Sequence, residues 1–308
     1  MEVWTFDDFD EFAEAVGDAD LQMFLRNLVE SRWTLRHLDL GGIHIQMGIQ
    51  GSGDIVEGQT RRDGYLLYLP LMNPEVQQGN GVALDPDAVA VFEPGCEFIL
   101  SSHCDHQWCS VFVATDALTD APLPAGGNAS RLRVTHPPVA IVRRFRRLVL
   151  RILVAAESHE AVADSDALRS CTPELSALAT QIICSDHGPM TARSGRPVIP
   201  RHEIFARVRQ LMTSSHAAKL PVAQLADACG VTDRTMRTVF VDSVGLTPKQ
   251  YLQYRTLNLV HRALRAADPE ETSVSTVLLD HGEWDFGRFA RRYRQAFGEL
   301  PSQTLRRS

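Results

Sequence analysis

Residues 222–240 read VAQLADACGVTDRTMRTVF, and residues 274–293 read VSTVLLDHGEWDFGRFARRY. Both stretches place a short apolar helix before a glycine and start a second helix after a polar capping residue: Gly230 and Thr232, then Gly282 and Asp285. Glycine adopts the left-handed conformation that ends such a helix at little cost. The imperfect repeat therefore predicts two helix-turn-helix units in the last third of the chain.

The segment between the units predicts one long helix. Thr247-Pro248 begins it, since proline is favoured at the first helical position, and Leu300-Pro301 begins a helix after the second unit in the same way. At ~1.5 Å per residue, a helix over 248–266 would be roughly 28 Å long. That length suits two helices in successive major-groove segments, about 34 Å apart.

The second helix of each unit is the candidate reading helix. Its N-terminal side chains can face base edges in the major groove, where arginine reads guanine. Arg234, Arg237 and Thr238 lie opposite the apolar face of the first reading helix, and Arg288 and Arg291 do so on the second. A solvated surface is the alternative for any single arginine. Arg292 and Arg294 are candidates for phosphate contact or solvated charge.

These residues resemble the AraC/XylS family of bacterial transcriptional regulators. LADACGVTDRTMRTVF at 225–240 and GLTPKQYL at 245–252 are similar to its first unit, and 282–301 to its second. The resemblance covers about residues 202–308. It implies base contacts by seven residues: Arg234, Arg237, Thr238, Phe286, Gly287, Arg288 and Arg291. Glu283 stands where the family usually has phenylalanine, so the first unit is expected to carry most of the specificity.

The resemblance also implies the partners and the control of the protein. It predicts a DNA-binding transcriptional activator that contacts RNA polymerase. It further predicts that the N-terminal part binds a small effector and forms a homodimer. These two expectations for the N-terminal part rest on analogy between folds rather than on any single motif.

Charge is divided unevenly along the chain. The net charge is −7, yet the residues after position 200 carry 16 Lys/Arg against 11 Asp/Glu, near +5. This asymmetry favours one domain that meets a polyanion, with a chance acidic surface as the alternative. The acidic N-terminus lacks the basic start of a secretory signal, and six cysteines form no CxxC pair, so we expect a cytoplasmic protein with reduced thiols.

The first part of the chain is predicted to be β-rich after a short helix at 7–16. Six β-like runs separated by turn residues favour a barrel or sandwich: Trp33–Leu40, Ile43–Ile49, Tyr65–Leu71, Ala88–Phe92, Glu97–Leu100 and Trp108–Ala114. The expected fold class is α+β, with an N-terminal cupin-like β-barrel sensor domain with helices and a C-terminal all-α domain with two helix-turn-helix units. We expect a domain at 1–187 (β-rich to about 115, helical at 139–187), a linker at 188–200 and a DNA-binding domain at 201–308.

Two features of the sensor domain bear on assembly and effector binding. Helix 139–157 carries an apolar strip against a row of arginines, for which we favour dimer-interface packing over packing within the domain. An effector pocket would be apolar with few polar anchors, and core packing is the alternative role for each candidate. The candidates are Trp33, Arg36, His44, Gln46, Tyr65 and Tyr68.

Residues 103–109, HCDHQWC, hold potential metal ligands. A metal-binding barrel enzyme with a degenerate helix-turn-helix domain is therefore the alternative function. Alternation along a strand would place neighbouring side chains on opposite faces, so an ordinary polar hairpin is preferred. No nucleophile motif, phosphate loop or paired-carboxylate pattern accompanies the cluster. We predict no enzyme activity, no cofactor and no metal.

Overall fold

The computed structural model describes residues 1–119, 131–158, 170–185, 201–213 and 221–307. The predicted linker at 188–200 lies outside these ranges. The bounds predicted for the two domains remain predictions.

A nearly closed antiparallel barrel forms the N-terminal part, as predicted. Its sheet runs in the order β10-β7-β4-β9-β3-β8-β5-β6, and β2 pairs with both β1 and β3. The strands among the described residues are β1 Glu2–Phe6, β2 Ala19–Asp39, β3 Ile43–Thr60, β4 Gly64–Met72, β5 Gln78–Gly79, β6 Val82–Ala83, β7 Val89–Phe92, β8 Glu97–Ser101, β9 His106–Ala114 and β10 Leu132–Thr135. All six predicted strands are confirmed.

Strands β2 and β3 extend well beyond their predicted ends. They form one long hairpin, in which β3 pairs with β9 through its first half and with β8 through its second half. Gly51 and Gly53 lie just beyond Ile49, the predicted end of β3. In the structure they are required by close packing, because a Cβ on Gly51 would lie 2.1 Å from the Glu30 carbonyl oxygen and one on Gly53 2.7 Å from the backbone of His103.

Helix α1, Phe9–Ala15, packs against the inner core of the barrel. Asp8 caps it by accepting hydrogen bonds from the backbone N–H groups of Asp10 and Glu11. Phe9 and Phe12 are buried in the inner core of the barrel. The predicted apolar spacing is confirmed, although the helix is shorter than expected and follows a strand, β1, that was not predicted.

Helices α2, Val139–Ser158, and α3, Thr172–Ile183, cover the outer face of the sheet. Phe145 and Val149 of α2 are buried against outward-facing side chains of the barrel strands. The preference for dimer packing by this apolar strip is therefore wrong, because the outer face of the sheet is itself apolar and the strip covers it within one chain. The homodimer remains a prediction without an assigned interface.

The C-terminal part is helical, as predicted. Its helices are α4 Arg201–Thr213, α5 Val222–Ala228, α6 Asp233–Val244, α7 Pro248–Ala266, α8 Val274–Asp280, α9 Phe286–Phe297 and α10 Pro301–Leu305. One core holds α7 to α10 together. Another joins α4 to α7 with Phe24, Ile55 and Ile99 of the barrel, so the two parts of the chain share a core. Among the described residues, none of the helices has both the length and the apolar character needed to span a membrane.

Candidate nucleic-acid interface and barrel cavity

Helices α5 and α6 form the first helix-turn-helix unit. Gly230 has a φ of +70°, in the left-handed region, and Thr232 caps α6 by accepting a hydrogen bond from the backbone N–H of Thr235 at 3.1 Å. Met236 and Phe240 of α6 are buried against α5 and the neighbouring helices. Local sequence thus sets the turn, and apolar burial fixes how the two helices cross.

The second unit, α8 and α9, repeats this construction. Gly282 has a φ of +76°, and Asp285 caps α9 by accepting from the backbone N–H of Arg288 at 3.0 Å. Phe289 and Tyr293 are fully buried. Glu283, the departure from the family pattern, lies 3.2 Å from the guanidinium of Arg292 and so ties the turn to the reading helix.

All seven residues predicted to contact bases are exposed. Within α6, the Thr238 hydroxyl donates to the carbonyl of Arg234 at 2.9 Å, which leaves its lone pairs open to a further donor. Gly287 has no other atom within 4 Å of the position a Cβ would take, so the backbone of α9 is open to close approach there. The structure thus presents these residues to solvent on both reading helices.

Sequence reasoning missed an aromatic side chain beside the second reading helix. Trp284 is 78% exposed immediately before the capping Asp285, and Phe286 beside it is 39% exposed. The signal that could have identified it is the run Trp284-Asp285-Phe286, which places an aromatic residue directly before the capping aspartate. Of the two arginines predicted to contact phosphate or solvent, Arg294 is exposed, whereas Arg292 is partly covered and paired with Glu283.

The joining helix α7, 19 residues long, lies directly on strands β2 and β3. Asn258 bridges to β2, because its side-chain oxygen accepts from the Leu25 N–H at 2.7 Å and its amide donates to the Leu25 carbonyl at 3.0 Å. Glu57 of β3 accepts from the buried hydroxyl of Tyr251, and Arg255 lies 3.5 Å from the other carboxylate oxygen. One face of α7 thus completes hydrogen bonds of the barrel wall.

An acidic helix end meets the last turns of α7. Asp10 accepts from His261 at 2.7 Å and from Arg262 at 2.8 Å. Burial raises the pKa of Asp10, but the hydrogen bonds from His261 and Arg262 outweigh it and hold that pKa below its ordinary value. Arg265 adds contacts to Asp8 and Glu11. The barrel and the joining helix are therefore docked by opposite charges as well as by apolar burial.

A cavity lies inside the barrel, on the opposite side of the β2–β3 wall from α7. Its volume is about 50 Å³. Aromatic rings and aliphatic side chains form most of its lining, together with a polar corner made by Gln50, Asp54, Gln77, Ser102 and His106. Tyr68 and Trp108 stack there with their ring centroids 6.0 Å apart.

Of the six predicted effector-binding residues, Tyr68 lines this cavity, and its hydroxyl donates to Gln77 at 2.7 Å. Trp33 is buried in the inner core, where its indole N–H donates to Ser52 at 3.0 Å. Tyr65 belongs to the outer-face core. These three residues are therefore dispersed over the barrel.

The other three predicted residues lie around the ends of β2 and β3. His44 and Gln46 both bond Asp18, at 2.7 and 2.8 Å. Arg36 contacts Glu157 of α2 at 3.3 Å. The structure does not bring the six residues together, and binding by any of them remains a prediction. Asp54 and Gln50 were missed because their part of β3 was not predicted as a strand.

The histidine–cysteine cluster does not converge on one point. His103 is exposed, His106 points into the barrel, and Cys109 belongs to the outer-face core. In the parts of the chain that the structure describes, no group of three or more His, Cys, Asp or Glu side chains could hold a metal ion.

Comparison with known proteins places the C-terminal helices in a class. A helix-turn-helix domain family matches residues 225–307. The chain is 37% identical over 103 residues to the XylDLEGF operon transcriptional activator 1 of Pseudomonas putida, which covers 33% of this chain and 31% of that protein. It is 37% identical over 93 residues to the probable thc operon regulatory protein of Rhodococcus erythropolis, covering 30% and 28%. The matches thus span less than a third of the length of these two relatives.

Solved structures with a similar layout are more distant. The AraC-like transcriptional activator CuxR is 11% identical with a TM-score of 0.42, covering 84% of this chain and 94% of that one. ToxT of Vibrio cholerae O395 is 8% identical with a TM-score of 0.29, covering 94% and 97%. These overlaps are too weak to add to the assignment.

The two capped units and the sequence matches define a C-terminal domain of the helix-turn-helix class. Over this C-terminal third, the chain is similar to transcriptional regulators of the AraC/XylS type.

Proposed function

We propose that this protein is a cytoplasmic, sequence-specific transcriptional activator that binds promoter DNA as a homodimer and is controlled by a small effector inside the barrel. The observation that carries the proposal is the pair of reading helices, each with exposed arginines at its start, joined by one continuous helix. The names of the relatives as operon activators and regulators support activation, with RNA polymerase as the partner that an activator contacts.

DNA recognition would divide between bases and phosphates. Arg234 and Arg237 on α6, and Arg288 and Arg291 on α9, are the proposed base-reading arginines, since bidentate hydrogen bonds to guanine distinguish base pairs. Thr238, Phe286 and Gly287 complete the proposed contact surface. Phosphate contacts would supply most of the affinity and make binding fall steeply with salt.

Effector control would act through the wall that the cavity and the joining helix share. Successive side chains of β3 alternate across this wall: Asp54 and Val56 line the cavity, whereas Ile55 and Glu57 contact the C-terminal part. An effector that shifts this strand would change the docking of α7, and with it the placement of both reading helices. An effector has this effect only if its affinity differs between the arrangement in which α7 is docked on the barrel and one in which it is not.

Selection of genomic DNA by the full chain, followed by footprinting, tests the DNA-binding part. We expect discrete protected sites and binding that weakens steeply as salt rises. Arg234→Ala and Arg237→Ala should each cost about 1–3 kcal/mol and relax the preference at one base pair. Arg62→Ala, on the exposed turn after β3, removes the same charge away from the reading helices and should leave the footprint unchanged.

Two outcomes would overturn this proposal. An unchanged footprint and affinity in both α6 variants would remove the assignment of base reading to these arginines. A folded chain that selects no specific site would instead favour a regulator that acts through protein contacts alone.

A further inference from the structure

The barrel cavity contains hydrogen-bond acceptors that the protein does not use. Among the described residues, three buried side-chain oxygens on its lining have no hydrogen-bond partner: Gln50 Oε1, Asp54 Oδ2 and Gln78 Oε1. All three are acceptors, and buried polar groups are normally paired. Each of these three oxygens therefore lacks a donor.

Asp54 is the strongest of these groups. It is 2% exposed, and its Oδ1 already accepts from the Ser102 hydroxyl at 2.9 Å, while Oδ2 is buried without a hydrogen-bond partner beside the side chain of Gln50. Burial raises the pKa of Asp54, against the smaller opposing effects of His106 and other neighbours, because the charged carboxylate is poorly compensated. A buried carboxylate is costly unless a cation or several donors pair with it.

His106 does not supply the missing donor. Its Nδ1 lies 3.2 Å from the carbonyl oxygens of both Ser52 and Cys104, so the ring proton belongs on that nitrogen. Its Nε2 lies 3.9 Å from Asp54 Oδ1. That oxygen already accepts a hydrogen bond from the Ser102 hydroxyl. The residues that line the described cavity include no lysine or arginine.

Aromatic rings and aliphatic side chains form the rest of the lining. Tyr68 and Trp108 stack on one side, and Phe92 and Phe98 meet edge to face, with centroids 4.9 Å apart, on another part of the lining. Aromatic faces attract organic cations, an effect of about 0.5–2 kcal/mol that strengthens when water is excluded. An anionic ligand would meet no lysine or arginine here.

We propose that the barrel cavity binds a small aliphatic amine in its ammonium form, with the N–H groups donated to Asp54 and Gln50 and the carbon chain among the aromatic rings. This rests on the proposed function, in that the amine would be the effector. A volume of about 50 Å³ holds only a few water molecules, at ~10–15 Å³ each on the same measure. The ligand is therefore a short amine.

Three probes of similar size distinguish an amine from other ligand classes: n-butylammonium, n-butanol and butyrate. Binding to the full chain is measured by isothermal titration calorimetry, with thermal unfolding as a second readout because a ligand of the native state raises the melting temperature. We expect n-butylammonium to bind at least tenfold more tightly than n-butanol, and butyrate not to bind. Asp54→Asn should weaken n-butylammonium at least tenfold and leave n-butanol unchanged.

Asp20→Asn is the matched control, because it removes a carboxylate from the exposed side of the neighbouring strand β2. Asp54→Asn should fold at least as well as the native chain, since it removes a buried charge. Equal binding of n-butylammonium by both variants, or preferential binding of butyrate, would overturn the proposal. If no amine binds but discrete DNA sites are still protected, the ligand class is wrong and the DNA-binding proposal stands.

Discussion

The hydrogen bond between Tyr251 and Glu57 should contribute measurably to the stability of the whole chain. Tyr251 is 1% exposed and donates its hydroxyl to a carboxylate that is itself 4% exposed. Burial, and then the charge of Glu57, raise the pKa of Tyr251 well above its ordinary value, so the hydroxyl stays protonated. A hydrogen bond to a charged group contributes about 1.5–3 kcal/mol. Tyr251→Phe should therefore lower the free energy of unfolding by about that amount.

Equilibrium urea unfolding of the full chain, followed by circular dichroism and tryptophan fluorescence, measures this loss when the two transitions coincide. Tyr65→Phe is the control, because Tyr65 is also buried but its hydroxyl has no hydrogen bond among the described contacts. The control should change stability by no more than about 0.5 kcal/mol. In a Glu57→Gln background, the loss from Tyr251→Phe should be roughly halved, since a neutral acceptor bonds more weakly. Equal losses for Tyr251→Phe and Tyr65→Phe would refute the reasoning.

Two further predictions concern charge and backbone. Because the folded pKa of Asp10 is lowered, its contribution is complete above the ordinary value of 3.8 and is lost as pH falls through its folded pKa. The difference in the free energy of unfolding between the native chain and Asp10→Asn should therefore shrink below about pH 3.8. A difference that does not change with pH would contradict this prediction. Gly245 has a φ of +66° with room for a Cβ, so Gly245→Ala should cost about 1–2 kcal/mol in urea unfolding. Gly287→Ala, in an open helical position, should instead stabilise the chain by about 0.5–1 kcal/mol; the same sign for both would be unexpected.

Local signals predicted the reading units well. A glycine, a capping residue and a proline each act within a few residues, so Gly230, Thr232 and Pro248 could be assigned from sequence and occupy their expected places. The barrel strands were also found wherever apolar residues alternate. In contrast, the inward face of a strand depends on pairing with distant strands, which sequence spacing alone does not determine.

This limit explains the errors at the cavity. Trp33 and Tyr65 have the residue types of a ligand pocket, yet register places them in the inner and outer cores. Asp54 lies beyond Ile49, the predicted end of its strand, in a stretch that contains Gly51 and Gly53. Its signal was a carboxylate within an otherwise apolar and small-residue run, which becomes meaningful only once β3 is known to continue to Thr60.

The docking contacts decide how an effector could control this protein. The bonds from α7 to the barrel involve Asp10, the backbone of Leu25 and Glu57, and all three residues are buried. A bound amine would neutralise Asp54 only three residues from Glu57 on the same strand. If the docked arrangement binds the amine less tightly than an undocked one, the amine would release α7; if more tightly, it would hold the reading helices in place. A coupling of 1–3 kcal/mol, typical of allosteric proteins, would change DNA affinity by about 5–150-fold. The same coupling must appear as a change in amine affinity when DNA is bound, so titrating the amine with and without a selected DNA site measures its sign.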